Sequence, residues 1–179
     1  MTYKSFKKDL SVIILCGGRG ERLKPITNNI PKPLIKIGGQ EILGYILNHL
    51  QSYNIQYSSV LTGYKQEKIN NFITNNFKKN VSCFYTGQKI DIISRIKKSL
   101  KFQKKYILIC YGDTLLDISI DKLIKFHLNN RKLPTMSIHE TKTNFGVVKF
   151  NKKGLVTNFL EKPKLNLWIN VGYFIFERE

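Results

Sequence analysis

The chain has 179 residues, of which 42% are hydrophobic and 12% aromatic. This composition suffices for one packed domain and argues against disorder. The net charge of +18 fits a surface that attracts nucleic acid or phosphorylated small molecules. Because the lysines are scattered rather than gathered in a tail or a basic helix, we interpret most of them as general surface charge.

The chain carries no evident targeting or membrane segment. No stretch reaches the roughly 20 consecutive apolar residues that span a bilayer, so no membrane partner is expected. The N-terminus has a basic start and a short apolar run without a small-x-small cleavage site, which argues against a signal peptide. Three widely spaced cysteines each sit in an apolar run: Cys16, Cys83 and Cys110. Buried structural thiols in a reducing cytoplasm are the predicted state.

Strands and helices are predicted to alternate before Pro134. The predicted strands there are Ser11–Cys16, a segment that includes Val60–Thr62, Val81–Tyr85 and Tyr106–Tyr111. The predicted helices are Gln40–Tyr53, one marked by Ile69, Phe72, Ile73 and Phe77, one whose core face is Ile92, Ile93, Ile96 and Leu100, and one opened by Ser119 with Leu123, Ile124 and His127 at helical spacing. After Pro134 the predicted strands are Thr135–His139, Gly146–Phe150, Leu155–Leu160 and Trp168–Phe176, with a turn at Asn151–Gly154.

This order predicts an α/β fold with a mostly parallel sheet covered by helices on both faces, followed by a β-rich part. Ligands of such sheets bind beyond the carboxyl ends of the strands. Two strand ends carry the most chemically suggestive residues. They are the glycine loop after Cys16 and Asp113 after Tyr111.

The glycine loop runs from Gly17 to Leu23 and reads Gly-Gly-Arg-Gly-Glu-Arg-Leu. Glycines let the backbone approach a polyphosphate closely, and Arg22 offers a planar, permanently charged fork for phosphate oxygens. A simple turn is the alternative. A dinucleotide-binding fingerprint fits less well, because position 23 is Leu and no acidic residue ends the next strand.

Three further segments place charges beside predicted turns or strand ends. Lys32 lies between Pro31 and Pro33, which predicts a stiff, extended segment that presents the ammonium group. Asp113 is suited to a divalent metal, with a helix cap or turn as the alternative. The Glu161-Lys162 pair ends a predicted strand, although one such pair is usually a surface ion pair of little consequence.

Taken in order, these segments resemble the sugar-phosphate nucleotidylyltransferase family from about residue 11 onward. The segments that carry the resemblance are Gly17–Leu23, Pro31–Leu34, Ile37–Gly39, Tyr111–Asp113, Phe145–Gly146, Glu161–Pro163 and Ile169–Gly172. Within the family, Gly63–Lys65, Tyr111–Asp113 and Glu161–Lys164 look most similar to glucose-1-phosphate cytidylyltransferases. Heptose-1-phosphate guanylyltransferases are next.

The resemblance implies a Rossmann-like nucleotidyltransferase fold with a β-rich sugar-binding part toward the C-terminus. It also implies a nucleoside triphosphate and a sugar 1-phosphate as partners and Mg²⁺ as cofactor. The implied nucleotide-binding residues are Gly17, Gly18, Gly20, Arg22, Thr86 and Gly87, with Arg22, Lys32 and Asp113 as catalytic residues and Asp113 as metal ligand. The implied sugar-phosphate contacts are Glu161, Lys162, Asn170 and Gly172.

The chain departs from the family pattern in three places. Glu21 stands where Thr is usual, which would put a carboxylate near the expected phosphates unless it pairs with a lysine. The segment Tyr85–Asp91 lacks the second glycine of the cytidylyltransferases. The family usually continues beyond residue 179 with a second metal-binding aspartate and a helix. We therefore expect one nucleotidyltransferase domain, 1–179, that lacks this segment and has weak or no turnover alone. We also expect self-association or a second polypeptide over the apolar C-terminal strand.

The resulting hypothesis is transfer of a nucleotidyl group, with CTP favoured, to a sugar 1-phosphate with release of pyrophosphate. The alternatives are a heptose-1-phosphate guanylyltransferase that uses GTP and an inactive module that binds a nucleotide or another protein. A nucleic-acid binder is the weakest option, because the sequence has no helix-turn-helix, zinc or stacking motif.

Overall fold

The computed structural model describes residues 3–55, 57–77, 79–130 and 133–178. Its helices are α1 (Tyr3–Lys8), α2 (Ile42–Ser52), α3 (Gln66–Asn76), α4 (Ile92–Ser99) and α5 (Ile120–Asn129). Its strands are β1 (Leu10–Cys16), β2 (Lys36–Ile37), β3 (Gln40–Glu41), β4 (Ser58–Thr62), β5 (Val81–Tyr85), β6 (Tyr106–Tyr111), β7 (Thr135–Lys142), β8 (Val147–Phe150), β9 (Val156–Leu160) and β10 (Lys164–Glu177).

The main sheet confirms the predicted α/β class. Its strand order is β5-β4-β1-β6-β10-β7. β1 pairs in parallel with β4 and β6, and β4 pairs in parallel with β5. β10 runs antiparallel to β6. Because parallel strands point the same way, the segments that follow β1, β4, β5 and β6 all leave the same edge of the sheet.

The core has a layer on each face of the sheet, as the uninterrupted apolar strands predict. Successive residues of β1 point to opposite faces. Val12, Ile14 and Cys16 pack with α2, α3 and α5, whereas Ile13 packs with Leu61, Ile107 and Ile109 against α4. β1 is therefore covered on both sides, and the loop that follows it is anchored by the most buried strand of the protein.

The structure differs from the sequence prediction most clearly at four elements. Helix α1 was not predicted, and its Phe6 is fully buried. The helix predicted from Gln40 begins at Ile42, because Gln40–Glu41 pairs with Lys36–Ile37. β10 starts four residues earlier than predicted, at Lys164 instead of Trp168.

The fourth correction concerns the core face of α4. Ile92 and Ile93 are 52% and 61% exposed, whereas Arg95 and Ser99 on the same helix are buried. Ile96 and Leu100 pack against the core as predicted. The helix is thus rotated relative to the predicted orientation.

Two compact parts divide the chain: residues 1–136 with 172–179, and residues 137–171. The chain passes from one part to the other within β7 and returns within β10. The prediction that residues 1–179 act as one nucleotidyltransferase domain stays a prediction. In the part of the chain that the structure describes, no helix has the length and apolar character needed to cross a membrane.

The three cysteines are free thiols, and Cys16 and Cys110 are buried as predicted. Cys83 is half-buried, and this burial raises the pKa of its thiol to about 11. All three groups are therefore neutral thiols near pH 7 and poor nucleophiles.

Exposed apolar side chains concentrate in residues 137–171, which include the first half of β10, rather than in its last apolar stretch, Tyr173–Phe176. Tyr173 and Ile175 of β10 are buried. The exposed group comprises Ile138, Phe145, Val148, Phe150, Leu155, Val156, Phe159, Leu160, Leu167, Trp168 and Ile169. Exposed patches of this kind favour association between molecules. Self-association therefore stays a prediction, but its expected surface is residues 137–171 instead of the C-terminal strand.

We expect light scattering to show a mass that rises with protein concentration, and expect Phe150→Ser with Phe159→Ser to lower it. Phe126→Ser, on α5 and equally exposed at 60%, is the matched control and should leave the mass unchanged. A monomer at every concentration would contradict the prediction.

Candidate active site

A cavity of about 500 Å³ opens at the carboxyl ends of β1 and β6. Its wall is formed by the loop after β1, by the turn that carries Lys32, by the start of α4 and by the end of β6. The lining residues include Leu15, Gly17, Gly18, Gly20, Arg22, Leu23, Lys32, Ile90, Ile92, Arg95 and Asp113. The cavity therefore combines apolar side chains with cations and two carboxylates, Glu21 and Asp113, at the sheet edge where ligands of such folds bind.

A second cavity, of about 560 Å³, lies between α2 and α3. Amide side chains such as Asn48, Gln51, Asn76 and Asn80 dominate its lining. It lies away from the carboxyl ends of the parallel strands. Its charged lining residues are Glu41, which pairs with Lys36, and Lys79, and its lining includes no glycine loop. We therefore place the candidate active site in the cavity at β1 and β6.

Gly17 and Gly18 are glycines for different reasons. A Cβ atom on Gly17 would lie 2.0 Å from Cζ of Arg95, so the protein itself leaves no room there. A Cβ atom on Gly18 would meet nothing within 4 Å, although Gly18 lines the cavity. The space beside Gly18 suits a ligand that approaches the backbone closely.

Gly20 connects the glycine loop with the lysine turn. Its φ of 65° is in the left-handed region that glycine adopts without strain. A Cβ atom there would lie 2.9 Å from Cγ2 of Thr27 and 3.3 Å from Cβ of Lys32. The Thr27 hydroxyl donates to the Gly20 carbonyl at 3.0 Å. Gly20 thus permits the loop to pack directly on the segment that presents Lys32.

Glu21 stands where Thr is usual in the family, and the structure shows how its charge is accommodated. Its carboxylate pairs with the Lys24 ammonium, and this hydrogen bond lowers the pKa of Glu21. Lys24 therefore offsets the charge that would otherwise repel a phosphate. Arg22, the next residue, is exposed and lines the cavity, and none of the ion pairs within the described residues involves it.

Lys32 and Asp113 meet across the cavity. The Lys32 Nζ lies 2.6 Å from Oδ2 of Asp113, and each side chain is about one-third exposed, 32% and 35%. Lys32 lies in a 3-10 turn, Lys32–Leu34, so the prediction of an extended segment was wrong at this residue. Proline tolerates such turns because its φ is already near −65°, and the Leu34 amide donates to the Pro31 carbonyl at 2.8 Å.

Asp113 is positioned by the close approach of β6 to β1. The Gly112 amide donates to the Leu15 carbonyl at 3.1 Å. A Cβ atom on Gly112 would lie 2.3 Å from Sγ of Cys16. Glycine at position 112 is therefore required for the aspartate to follow the strand in register with the glycine loop.

The donor set at Asp113 can be tested against the expected Mg²⁺. In the described residues, no group of three or more His, Cys, Asp or Glu side chains could hold a metal ion. Mg²⁺ is commonly held by one or two carboxylates together with waters and substrate phosphates. Asp113 fits a metal that takes its other ligands from a bound triphosphate.

Thr86 and Gly87 lie behind the cavity wall and contact it through Arg95. The Thr86 hydroxyl is buried and donates to the Thr62 carbonyl at 2.8 Å. The same hydroxyl accepts a hydrogen bond from Nη1 of Arg95, and the Gly87 carbonyl accepts one from Nη2 at 3.0 Å. The Thr86 side chain thus faces the protein.

Sequence reasoning missed Arg95, and helical spacing contains the signal that could have found it. Arg95 comes three residues after Ile92 and four before Ser99, so all three share one face of α4. A cation on a face that also carries apolar residues points either to the core or to a ligand.

The residues expected to bind the sugar phosphate are divided between the two parts. Glu161, Lys162 and Asn170 belong to residues 137–171 and Gly172 to the other part. The Glu161 and Lys162 charges are 3.9 Å apart and about 63% exposed, which makes the pair energetically minor. Gly172 is a glycine because a Cβ atom would lie 2.7 Å from Cδ2 of Tyr111. The sugar-phosphate roles stay predictions.

A family model described as nucleotidyl transferase matches residues 11–179. The chain belongs to the nucleotidyl transferase family. It is 31% identical to a probable glucose-1-phosphate cytidylyltransferase of Bacillus subtilis, over 93% of this chain and 74% of that protein. It is also 31% identical to the D-glycero-alpha-D-manno-heptose 1-phosphate guanylyltransferase of Campylobacter jejuni, over 95% of this chain and 77% of that protein.

A third relative in this nucleotidyl transferase family is much longer. The chain is 32% identical to the bifunctional protein GlmU of Methanococcus maripaludis over 87% of its own length, but spans only 36% of that protein. Among solved structures, HddC from Yersinia pseudotuberculosis complexed with GMP-PN matches 93% of this chain and 76% of its own, with a TM-score of 0.66 and 21% identity. The predicted Rossmann-like nucleotidyltransferase fold is confirmed.

Proposed function

We propose that the protein transfers a nucleotidyl group from a nucleoside triphosphate to a sugar 1-phosphate and releases pyrophosphate. The observation that supports this most is the opposed Lys32–Asp113 pair beside Gly18 and Arg22, at one edge of the sheet. Cations and open glycine backbone suit a polyphosphate, and the Asp113 carboxylate suits the metal that accompanies one. Family membership restricts the chemistry to nucleotidyl transfer.

In the proposed reaction, a phosphate oxygen of the sugar phosphate attacks the α-phosphorus of the triphosphate. A new phosphorus–oxygen bond forms as the bond to the bridging oxygen breaks, and that electron pair leaves with pyrophosphate. The nucleophile is already an anion, so no side chain has to remove a proton. Catalysis depends on bringing two polyanions together in line and neutralising the charge that builds on the leaving oxygen.

Arg22 and Lys32, which both line the cavity, would supply that neutralisation. The Arg22 fork suits the departing pyrophosphate, and Lys32 suits oxygens near the reacting phosphorus. Asp113 would hold Mg²⁺, which when bound polarises phosphate oxygens and lowers the charge of the triphosphate. Glu161, Lys162, Asn170 and Gly172 keep their proposed roles as sugar-phosphate contacts.

CTP is the favoured nucleotidyl donor in this proposal, and glucose 1-phosphate is the favoured acceptor. Its support is the likeness of Tyr111–Asp113 and Glu161–Lys164 to cytidylyltransferases and the Bacillus subtilis relative. GTP with a heptose 1-phosphate is the second candidate, because the Campylobacter jejuni relative is as similar, at 31% identity. Ile90 and Ile92 line the cavity and offer an apolar surface to either base.

The test is pyrophosphate release from each of the four triphosphates, with glucose 1-phosphate and a heptose 1-phosphate as acceptors. We expect release with one triphosphate and one acceptor well above all other pairs. Triphosphate binding without release would favour the inactive nucleotide-binding module. Neither binding nor release with any pair would overturn the proposal.

The two cavity cations lead to a prediction about binding. Replacing Arg22 or Lys32 with Ala should weaken triphosphate binding and slow the chemical step by about tenfold each, since each loses a charge-assisted contact with phosphate. Calorimetry gives the affinity, and single-turnover kinetics gives the rate. Lys36→Ala is the control, because Lys36 is exposed on β2 and pairs with Glu41 outside the cavity. Parent-like binding and rates in both variants would mean that the glycine loop is only a turn.

A further inference from the structure

Arg95 is a buried cation held by neutral acceptors from three strand ends. Its side chain is 4% exposed. Nη1 donates to the Thr62 carbonyl at 2.8 Å and to the Thr86 hydroxyl. Nη2 donates to the Gly87 carbonyl at 3.0 Å and to the Gly17 carbonyl at 3.5 Å. Gly17 follows β1, Thr62 ends β4, and Thr86 and Gly87 follow β5.

The charge of Arg95 has no carboxylate partner among the ion pairs of the described residues. Burial lowers the pKa of the guanidinium, but an arginine side chain is not deprotonated in proteins, so the group stays charged near neutral pH. A buried charge without a countercharge is costly to the fold. The cost is offset when an anion binds nearby, and Arg95 lines the cavity that also contains Arg22 and Lys32.

The backbone around Arg95 is shaped to admit it. A Cβ atom on Gly17 would lie 2.0 Å from its Cζ, and one on Gly63 would lie 3.0 Å from its Nη1. Helix α4 is fixed at its start by Asp91, whose Oδ1 accepts from the Ser94 amide at 2.9 Å. The Lys98 ammonium, from the same helix, donates to the Thr86 carbonyl at 2.9 Å. One helix thus holds the segment after β5 at two points.

We propose that Arg95 is a positioning residue that sets the nucleobase preference of the site. It ties the Gly17 end of the phosphate loop to the Thr86-Gly87 segment, so the phosphates and the base are held at one fixed spacing. Ile90 and Ile92, between that segment and Arg95, line the same cavity. This inference rests on the proposed function, since it concerns how that site orients its triphosphate.

The experiment compares the parent with Arg95→Lys, which keeps the charge but cannot reach all four acceptors with one planar fork. Calorimetry with the four Mg²⁺-triphosphates gives the affinity for each base. We expect affinity for the preferred triphosphate to fall about tenfold, because buried charged hydrogen bonds are lost. Affinity for the second-best triphosphate should fall less. The ratio of the two affinities should therefore decrease at least threefold, which is roughly the effect expected from the loss of one hydrogen bond.

Two further variants accompany Arg95→Lys in this experiment. Arg178→Lys is the matched control, because Arg178 is exposed and donates to the Leu100 carbonyl at 2.8 Å. Thr86→Val removes the hydroxyl between Thr62 and Arg95 while leaving the arginine in place, and serves if Arg95→Lys fails to fold. We expect it to narrow the ratio in the same direction.

The possible results distinguish a failure of the role proposed for Arg95 from a failure of the proposed function. A merely structural arginine would lower the melting temperature and weaken all four triphosphates equally, which overturns the inference. A parent that binds all four bases equally also overturns it, since there is then no preference to set. A parent that binds no triphosphate refutes the proposed function itself, whereas a selective parent with an unchanged ratio in both variants refutes only the role of Arg95.

Discussion

Asp113→Asn should lower the rate of pyrophosphate release about 100-fold or more while leaving the fold intact. The amide is neutral and a poorer ligand for a hard cation, and several kcal/mol of charge stabilisation in the transition state depend on such a site. Folding should change little, because the Lys32–Asp113 pair is about one-third exposed, and pairs of this kind contribute only about 0–1 kcal/mol.

The assay is pyrophosphate release over a range of Mg²⁺ concentrations, with circular dichroism as the check on folding. Asp117→Asn is the matched control: Asp117 is exposed in the same loop after β6 and outside the set that lines the cavity. Near-parent, Mg²⁺-dependent rates in Asp113→Asn would remove Asp113 from the catalytic site.

Gly17→Ala should destabilise the protein strongly. The new Cβ atom would lie 2.0 Å from Cζ of Arg95, so the guanidinium has to leave its buried acceptors. Each buried polar group that loses its partner costs about 1–3 kcal/mol, which predicts a total loss near 3 kcal/mol or above. At this chain length that corresponds to a fall in melting temperature of about 10 °C.

Gly18→Ala is the matched control one residue away. Its Cβ atom would meet nothing within 4 Å, so the melting temperature should stay within about 2 °C of the parent, as for surface changes. Triphosphate binding should nevertheless weaken, because the methyl group occupies the space beside the cavity. Equal melting temperatures for the two variants would show that the Arg95 guanidinium can leave its acceptors without loss of stability.

The strand ends of the candidate site could be predicted because apolar runs are informative. Ser11–Cys16 and Tyr106–Tyr111 are buried, uninterrupted strands of a parallel sheet, and their short apolar runs that end next to glycines reveal them. Their carboxyl ends place the glycine loop and Asp113 at one edge. The 2.6 Å contact between Lys32 and Asp113 shows that residues 81 positions apart along the chain meet where that topology predicts.

What could not be predicted depends on tertiary packing. A glycine in a sequence does not reveal whether it makes room for a ligand or for a side chain, and at Gly17 the answer is Arg95. The rotation of α4 leaves Ile92 and Ile93 exposed and buries an arginine, against the usual preference of arginine for the surface. The pairing of Glu21 with Lys24 depends on the local 3-10 turn, Glu21–Leu23, which a single sequence does not specify.

Residues 137–171 form a single insertion, because the chain leaves within β7 and returns within β10, two neighbouring strands of the main sheet. Every residue that lines the cavity lies before this insertion, between Leu15 and Asp113. The residues that line the cavity and the inserted segment therefore lie in separate stretches of the sequence. A chimera that takes the whole insertion from a relative, joined within β7 and β10, would replace the proposed acceptor contacts Glu161, Lys162 and Asn170 and keep Gly172 and every cavity-lining residue of the parent. Exchange of one continuous segment would thus change three of the four proposed acceptor contacts and none of the residues that line the cavity.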